Sequence, residues 1–353
     1  MRRCSVWVVG LCAIVTCVLN ADAGAFVDPL SLPSTPTNNL IHSRLMAVAG
    51  SDQGLVAVGP LGHILVADKL GQDWTQAPSP LSTDLVAVRF VGERKVWAVG
   101  HDGVILHSED AGQTWSRQLD GNQVLEILRG QLKGLALSTG ADATRTKGEL
   151  ERAIADGAAK PFFDIAFLNE KEGFAVGPFN LAFHTVDGGQ HWQSISELTE
   201  NPEGLHLYGL AVVADKLWLV GERGLVRCWD STTSRFQRIS TPYQGSYFGI
   251  VGGRSTLLAF GMQGQAVRST DAGRTWALVD TGSQGAIAGG TEMSDGRIVL
   301  VTLAGEVLVS RNQGASFKVQ RLLKPMPYFS VAQAGPDSVA LVGALGVRVE
   351  SLL

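Results

Sequence analysis

Short apolar runs recur along the chain, each closed by a glycine or a cluster of polar residues. In Leu85 to Leu119 the order is an apolar run (LVAVRF), a polar turn (VGERK), a second run (VWAVG), a short turn (HDG), a third run (VILHS), another turn and a brief run after Trp115. Runs of this length between Gly, Asp and Asn turns read as strands, so the unit predicts four of them. The second run ends in an apolar residue followed by Gly or a small residue at Val58-Gly59, Val99-Gly100, Val176-Gly177, Val220-Gly221, Phe260-Gly261, Val301-Thr302 and Val342-Gly343. These landmarks lie 41, 77, 44, 40, 41 and 41 residues apart, which makes seven copies, with about 36 extra residues in one interval.

A period near 41 with four strands per copy is the spacing of β-propeller blades, whose small sheets bury their faces against their neighbours. The predicted fold is all-β: one domain, residues 24–353, forming a seven-bladed propeller of four-stranded antiparallel blades. The extra residues, about 120–160, fall between blades 2 and 3 and carry helical spacing at Val124, Leu128, Leu132 and Leu135. Thr146 with Glu149 forms a capping box ahead of Leu150 to Ile154. The last copy, Tyr328 to Leu353, supplies only three strands. The unassigned stretch Ala25 to Leu40 is therefore expected to pair with the final blade and cover its open edge.

The first residues read as an export signal: Arg2 and Arg3, the apolar run Val6 to Leu19, and Ala21-Asp22-Ala23 as the cleavage site. A signal over residues 1–23 implies a periplasmic or secreted chain. Thr16 before Cys17 is too large for the usual lipidation signal, which leaves a lipid anchor on Cys17 as the alternative. No later run approaches the roughly 20 apolar residues of a spanning helix. Cys4, Cys12 and Cys17 fall inside the signal, so Cys228 is left alone and no internal disulfide is expected.

Composition narrows the function. The chain is 45% hydrophobic and 18% charged, with 42 Gly in 353 residues and a net charge of −4. That is a turn-rich, core-forming protein with no broad basic field for nucleic acid.

Between the third and fourth strands several copies carry Ser/Thr-x-Asp-x-Gly-x-x-Trp: Ser108 to Trp115, Thr185 to Trp192 and Ser269 to Trp276, with a weaker version at Ser310 to Phe317. In these, Asp110, Asp187 and Asp271 can accept hydrogen bonds from their own turns. Gly112, Gly189 and Gly273 permit positive φ, and Trp115, Trp192 and Trp276 bury rings between blades. On these residues the chain resembles the Asp-box (BNR) propellers. The run V-G-x-x-G-x-[IV]-x-x-S-x-D-x-G-x-T-W is similar to that of the photosystem II stability/assembly factor-like propellers, of which this would be a non-photosynthetic exported member. The resemblance implies structural Asp boxes and a non-enzymatic propeller that holds a partly built membrane protein. In that family an arginine-rich patch takes part in the contact, whereas here the arginines are scattered in sequence, Arg223 and Arg268 among them. A further implication is an accessory role to an envelope membrane complex, an exporter of the resistance-nodulation-division type being one example.

No catalytic residues are assigned. A sialidase-like site needs an Arg triad and a Tyr with a Glu partner, and the Arg-Ile-Pro element of that family is absent. A glycosidase or lyase acting on an envelope glycan, with a carboxylate such as Asp102 at the channel mouth, is the alternative. No Cys/His cluster has metal-ligand spacing and no glycine run has phosphate-loop form, so neither metal nor cofactor is expected.

Alternating strands put the Asp-box turns on one face, with the strand 2 to 3 turns, the blade-to-blade crossovers and the insertion on the other. Aromatics at blade entries, Phe163, Tyr208, Tyr247, Phe248, Tyr328 and Phe329, should ring the channel mouth on that crossover face. His101, Asp102 and Arg223 from the strand 2 to 3 turns add polar groups there. The expected partner is a protein bound at this face.

Overall fold

The computed structural model describes residues 27–253 and 256–352, and in it seven antiparallel sheets stand around one axis. Six have four strands in sequence order, as in blade 2: Leu85–Val91, Lys95–Gly100, Ile105–Ser108 and Ser116–Leu119. The first strand of each blade lies beside the first strands of its two neighbours, and Tyr328–Gln333 of blade 7 returns to Ala47–Ser51 of blade 1. The ring is closed.

The landmark glycines show why the repeat is so regular. At Gly100 a Cβ would sit 2.0 Å from the Asp84 carbonyl oxygen, at Gly261 2.1 Å from that of Ser246, and at Gly343 2.1 Å from that of Pro327. At these three joints the end of the second strand presses on the entry to its own first strand, and only a residue without a side chain fits, whereas blade 6 accommodates Thr302. The same glycines reach the next blade: the carbonyls of Gly59, Gly100 and Gly177 accept from the amides of Leu85, Phe162 and Leu207, at 3.1, 3.0 and 3.2 Å.

Closure of the ring uses this bond too, Leu45 donating to the Gly343 carbonyl at 3.1 Å. Leu45, Val48 and Leu55 then pack with Ala332, Ala340 and Val342 across the joint. Among the described residues the expected fourth strand of blade 7 is not formed; its sheet ends with Gly346–Ser351. Residues 28–37 instead follow the outer edge of blade 1, where the Ser34 amide donates to the Ser79 carbonyl and the Gln76 side chain bonds Thr35 and Thr37. Only the short turn Leu40–His42 packs on the last strand of blade 7. With the inner joint already made, closure does not require an exchanged outer strand. The predicted signal, residues 1–23, lies outside the described residues, as do Ala25 and Phe26.

Helices α1 (Gly121–Gly134) and α2 (Ala141–Ala155) fill the insertion. Asp120 caps α1 by accepting from Asn122 and Gln123, and Gln123 returns a bond to the Asp120 amide. Val124, Leu128 and Leu150 join Phe162, Leu181 and Phe183 in one apolar cluster, so α1 is a lid on blade 3. The expected capping box at Thr146 and Glu149 falls inside α2, which begins at Gly140 without a side-chain cap.

Two glycine variants separate close approach from backbone conformation. Gly100→Ala drives a methyl into backbone and should lower stability by about 2–3 kcal/mol in urea unfolding. Gly296→Ala, at φ 86° with nothing within 4 Å, should lose only about 1 kcal/mol. Equal losses would contradict the packing argument.

Candidate functional site

The Asp boxes form closed hydrogen-bond circuits. Asp110 accepts from the Ser108 hydroxyl at 2.8 Å and from the Thr114 amide at 2.9 Å, and the Ser108 hydroxyl accepts from the Gly112 amide at 2.9 Å. Asp187 and Asp271 repeat this with His191 and Thr275, whose hydrogen bonds hold both carboxyls down to about 2. Gly189 and Gly273 abut Trp97 and Trp218 of the preceding blades, and Trp192 and Trp276 meet those rings edge-on. Trp115 donates to the Gly112 carbonyl at 2.8 Å. These side chains are spent on the turn and the blade joint.

A cavity of about 960 Å³ runs down the axis. Which aromatics reach it is decided by a register shift at the strand entry, seen between Leu85 and Ala87, Leu207 and Gly209, Tyr247 and Gly249, Ile287 and Gly289, and Tyr328 and Ser330. The first residue of each pair goes into the core between blades and the next turns to the channel. Tyr208, Phe248 and Phe329 accordingly line the cavity, as does Phe163, whose blade has no such shift, stacking on Tyr208 with ring centres 5.8 Å apart. Tyr247 and Tyr328 do not ring the mouth as expected: both are fully buried, Tyr247 with its hydroxyl 2.8 Å from that of Thr241.

Deeper in, Arg89 of blade 2 bonds Asp164 of blade 3 at 2.9 Å. Burial pushes the Asp164 carboxyl up, opposed by the Arg89 guanidinium and the amides of Leu210 and Ile165. One carboxylate thus ties three blades together. The pair was legible as charges inside the apolar runs LVAVRF and FFDIAF, although its partnership was not.

His101 and Asp102 sit on the crossover face, outside the cavity lining. Asp102 accepts from the Thr83 hydroxyl, and its backbone carbonyl takes the Gly121 amide at 2.7 Å, fastening the start of α1.

A second cavity, about 360 Å³, opens on the same face between α2 and blade 4. It gathers Arg145, Arg223, Arg227, Arg235 and Arg238, arginines whose sequence positions give no hint of convergence. Glu149, Glu197, Glu200 and Glu203 share its walls, Glu203 holding Arg223 at 3.0 Å. Arg227 differs from the rest. It is only 7% exposed, and among the described residues its guanidinium hydrogen-bonds no carboxylate, only the backbone carbonyls of Glu200 and Val226. Burial, with Arg238 beside it, brings its pKa down to about 10 against the opposing charge of Glu200. An arginine within the apolar run LVRCW was the one available signal. Arg268 lies elsewhere, donating to the Gln313 carbonyl at 2.6 Å.

The closed ring and its turn circuits define an Asp-box β-propeller. A family model described as photosynthesis system II assembly factor YCF48 matches residues 151–321, which include blades 3 to 6 and most of the arginine cleft. The photosystem II assembly lipoprotein Ycf48 of Synechococcus sp. (strain CC9902) is 24% identical over 191 residues, 53% of this chain and 57% of that protein. The chain thus matches little more than half the length of this curated relative. Among solved structures, YCF48 bound to D1 peptide superposes with a TM-score of 0.60 at 16% identity, covering 93% of this chain and 99% of that one. YCF48 from Cyanidioschyzon merolae gives 0.59 at 13%, covering 88% and 96%. The Niastella koreensis GH74 enzyme gives 0.63 at 14%, covering 88% of this chain and 53% of that one. This chain is a seven-bladed β-propeller similar over residues 151–321 to the photosystem II assembly factor-like propellers.

Arg89→Met tests the channel pair. It should cost about 2–3 kcal/mol near neutral pH, below the value for a fully buried pair because Arg89 is 41% exposed. Without Arg89 the folded-state pKa of Asp164 rises further above its unfolded value. The variant therefore recovers stability as pH falls through that raised pKa, and its urea midpoint should approach wild type as the pH is lowered. A loss independent of pH would contradict the assignment.

Proposed function

We propose that this propeller is a non-enzymatic scaffold, an assembly or accessory factor that holds a partner protein at its crossover face. The arginine cleft between α2 and blade 4 is the principal contact, beside the channel mouth with Phe163, Tyr208, Phe248 and Phe329. The carrying observation is Arg227. Its guanidinium is buried, bonds only backbone carbonyls, and is held by the charge of Glu200 against the repulsion of Arg238, so a carboxylate from a partner would add the direct ion pair that the cleft does not supply. The partner is accordingly a protein presenting acidic side chains to the cleft. The solved YCF48 relative, which holds a D1 peptide, supports a polypeptide as the occupant.

The finer parts of the reading rest on the sequence. Export, a client that is a membrane complex of the envelope, and an exporter of the resistance-nodulation-division type as one such client follow from the signal-like N-terminus and the family resemblance. A glycan-cleaving enzyme has the likeness of fold to the GH74 enzyme behind it and nothing more, since Asp102 is engaged with Thr83 and Asp164 with Arg89.

Affinity capture from envelope extracts, with the bound protein identified in the wild-type sample, tests the cleft. Arg227→Met should reduce recovery of that protein at least tenfold. The exposed Arg238→Glu should do the same, and because it removes the repulsion on Arg227 any change in melting temperature should be upward, so that lost capture is not lost folding. Undiminished capture by both variants would refute the cleft as the contact. Deleting the whole insertion is a poor substitute, because Val124, Leu128 and Leu150 cover the apolar surface of blade 3.

A further inference from the structure

The strand 2 to 3 turns have an unusual composition. Leu61, Phe179, Met262, Leu303 and Leu345, in blades 1, 3, 5, 6 and 7, and Leu323 in the crossover before blade 7 are between 44% and 102% exposed. Two of them, Leu61 and Phe179, are held at φ 58° and 53°, a left-handed conformation that a leucine or phenylalanine adopts at some cost. The two exceptions have other tasks: Asp102 of blade 2 fastens α1, and Arg223 of blade 4 borders the arginine cleft. On the opposite face the strand 1 to 2 turns carry Asp52, Glu93, Arg94, Glu170, Lys171 and Asp215. The strand 1 to 2 turns thus carry charges and most strand 2 to 3 turns carry apolar tips, although Leu70 and Val186 are exposed in the strand 3 to 4 turns of the opposite face.

Because each tip belongs to a different blade, the tips are distributed around the ring and do not merge into a groove. A groove suits one peptide; separated tips around a ring suit a plane. Cations accompany them. Lys160, also paired with Asp156 at 2.8 Å, lies over the Phe179 ring at 5.5 Å, and Arg44 over Phe329 at 5.4 Å. Arg321 and Lys324 bracket Leu323. Carboxylates beside the tips are occupied internally: Asp84 by the Leu61 amide, Asp102 by Thr83, Glu222 by the His206 amide, and Glu306 by Ser283 and Thr302, while Glu197, Glu200 and Glu203 stand at the arginine cleft and Asp156 is paired with Lys160. The described chain enters here as well, the Pro29 carbonyl accepting from the Ser82 amide in the first crossover.

From this geometry we infer that the crossover face is a membrane-resting surface, which sets the propeller on an anionic phospholipid bilayer. The apolar tips enter the boundary between headgroups and acyl chains, while Arg44, Lys160, Arg321 and Lys324 lie at the level of the lipid phosphates. The inference is independent of the protein contact proposed above, since it requires neither Arg227 nor Arg238.

Co-sedimentation of the full chain with vesicles of phosphatidylcholine containing about a third phosphatidylglycerol tests it. The wild-type chain should bind, and Leu61→Ser/Phe179→Ser/Leu303→Ser/Leu345→Ser should bind at least about tenfold more weakly with an unchanged melting temperature. Both chains keep the same N-terminus, so equal binding by the two would assign the effect to the leader and overturn the inference. Failure of the wild type to bind, or loss of partner-protein capture in the quadruple variant while vesicle binding persists, would overturn it as well, the latter assigning the tips to a protein.

Discussion

Everything in this molecule depends on the blades meeting where each second strand ends, at a glycine in every blade but the sixth, which has Thr302 there. At the glycines the backbone of one strand lies against the entry of another with no room for a β-carbon, and the glycine carbonyl goes on to the next blade's first amide at the joints of Gly59, Gly100, Gly177 and Gly343. A four-stranded blade cannot bury both of its faces alone. Stacked around a closed ring, every blade covers its neighbour, and the only free surfaces are the outer edges, the channel and the two sets of turns. Function is therefore confined to those places.

The chain treats the two sets of turns differently. On one face the Asp boxes consume their own polar groups, with Asp110, Asp187 and Asp271 each satisfied by hydroxyls and amides of the same turn. On the other face the crossovers are longer, one has grown into two helices, and the arginines of the cleft converge from α2 and blade 4. Stability and binding are thus divided between opposite ends of the same strands, and groups on the binding face can vary without disturbing the joints.

Much of this was legible in the sequence. Strand count, blade count and the place of the insertion followed from the landmark spacing, because the close approach at the glycine leaves little freedom in repeat length. What escaped was whatever depends on contacts between blades. Tyr247 and Phe248 are adjacent aromatics with identical local context, and only the register shift sends one to the core and the other to the channel. Arg223, Arg227 and Arg238 look dispersed along the chain and meet only because an antiparallel hairpin and a crossover fold over them. The final blade misled for a related reason: a missing strand suggested exchange with the N-terminus, yet the Leu45 to Gly343 bond had already closed the ring at its inner end.

Hydrogen exchange on the propeller bound to its captured partner bears most directly on the division between the two faces. Added protection should concentrate in residues 196–205, in residues 223–244 and along α2. Protection confined to the Asp-box turns, at residues 108–115, 185–192 and 269–276, would contradict the account.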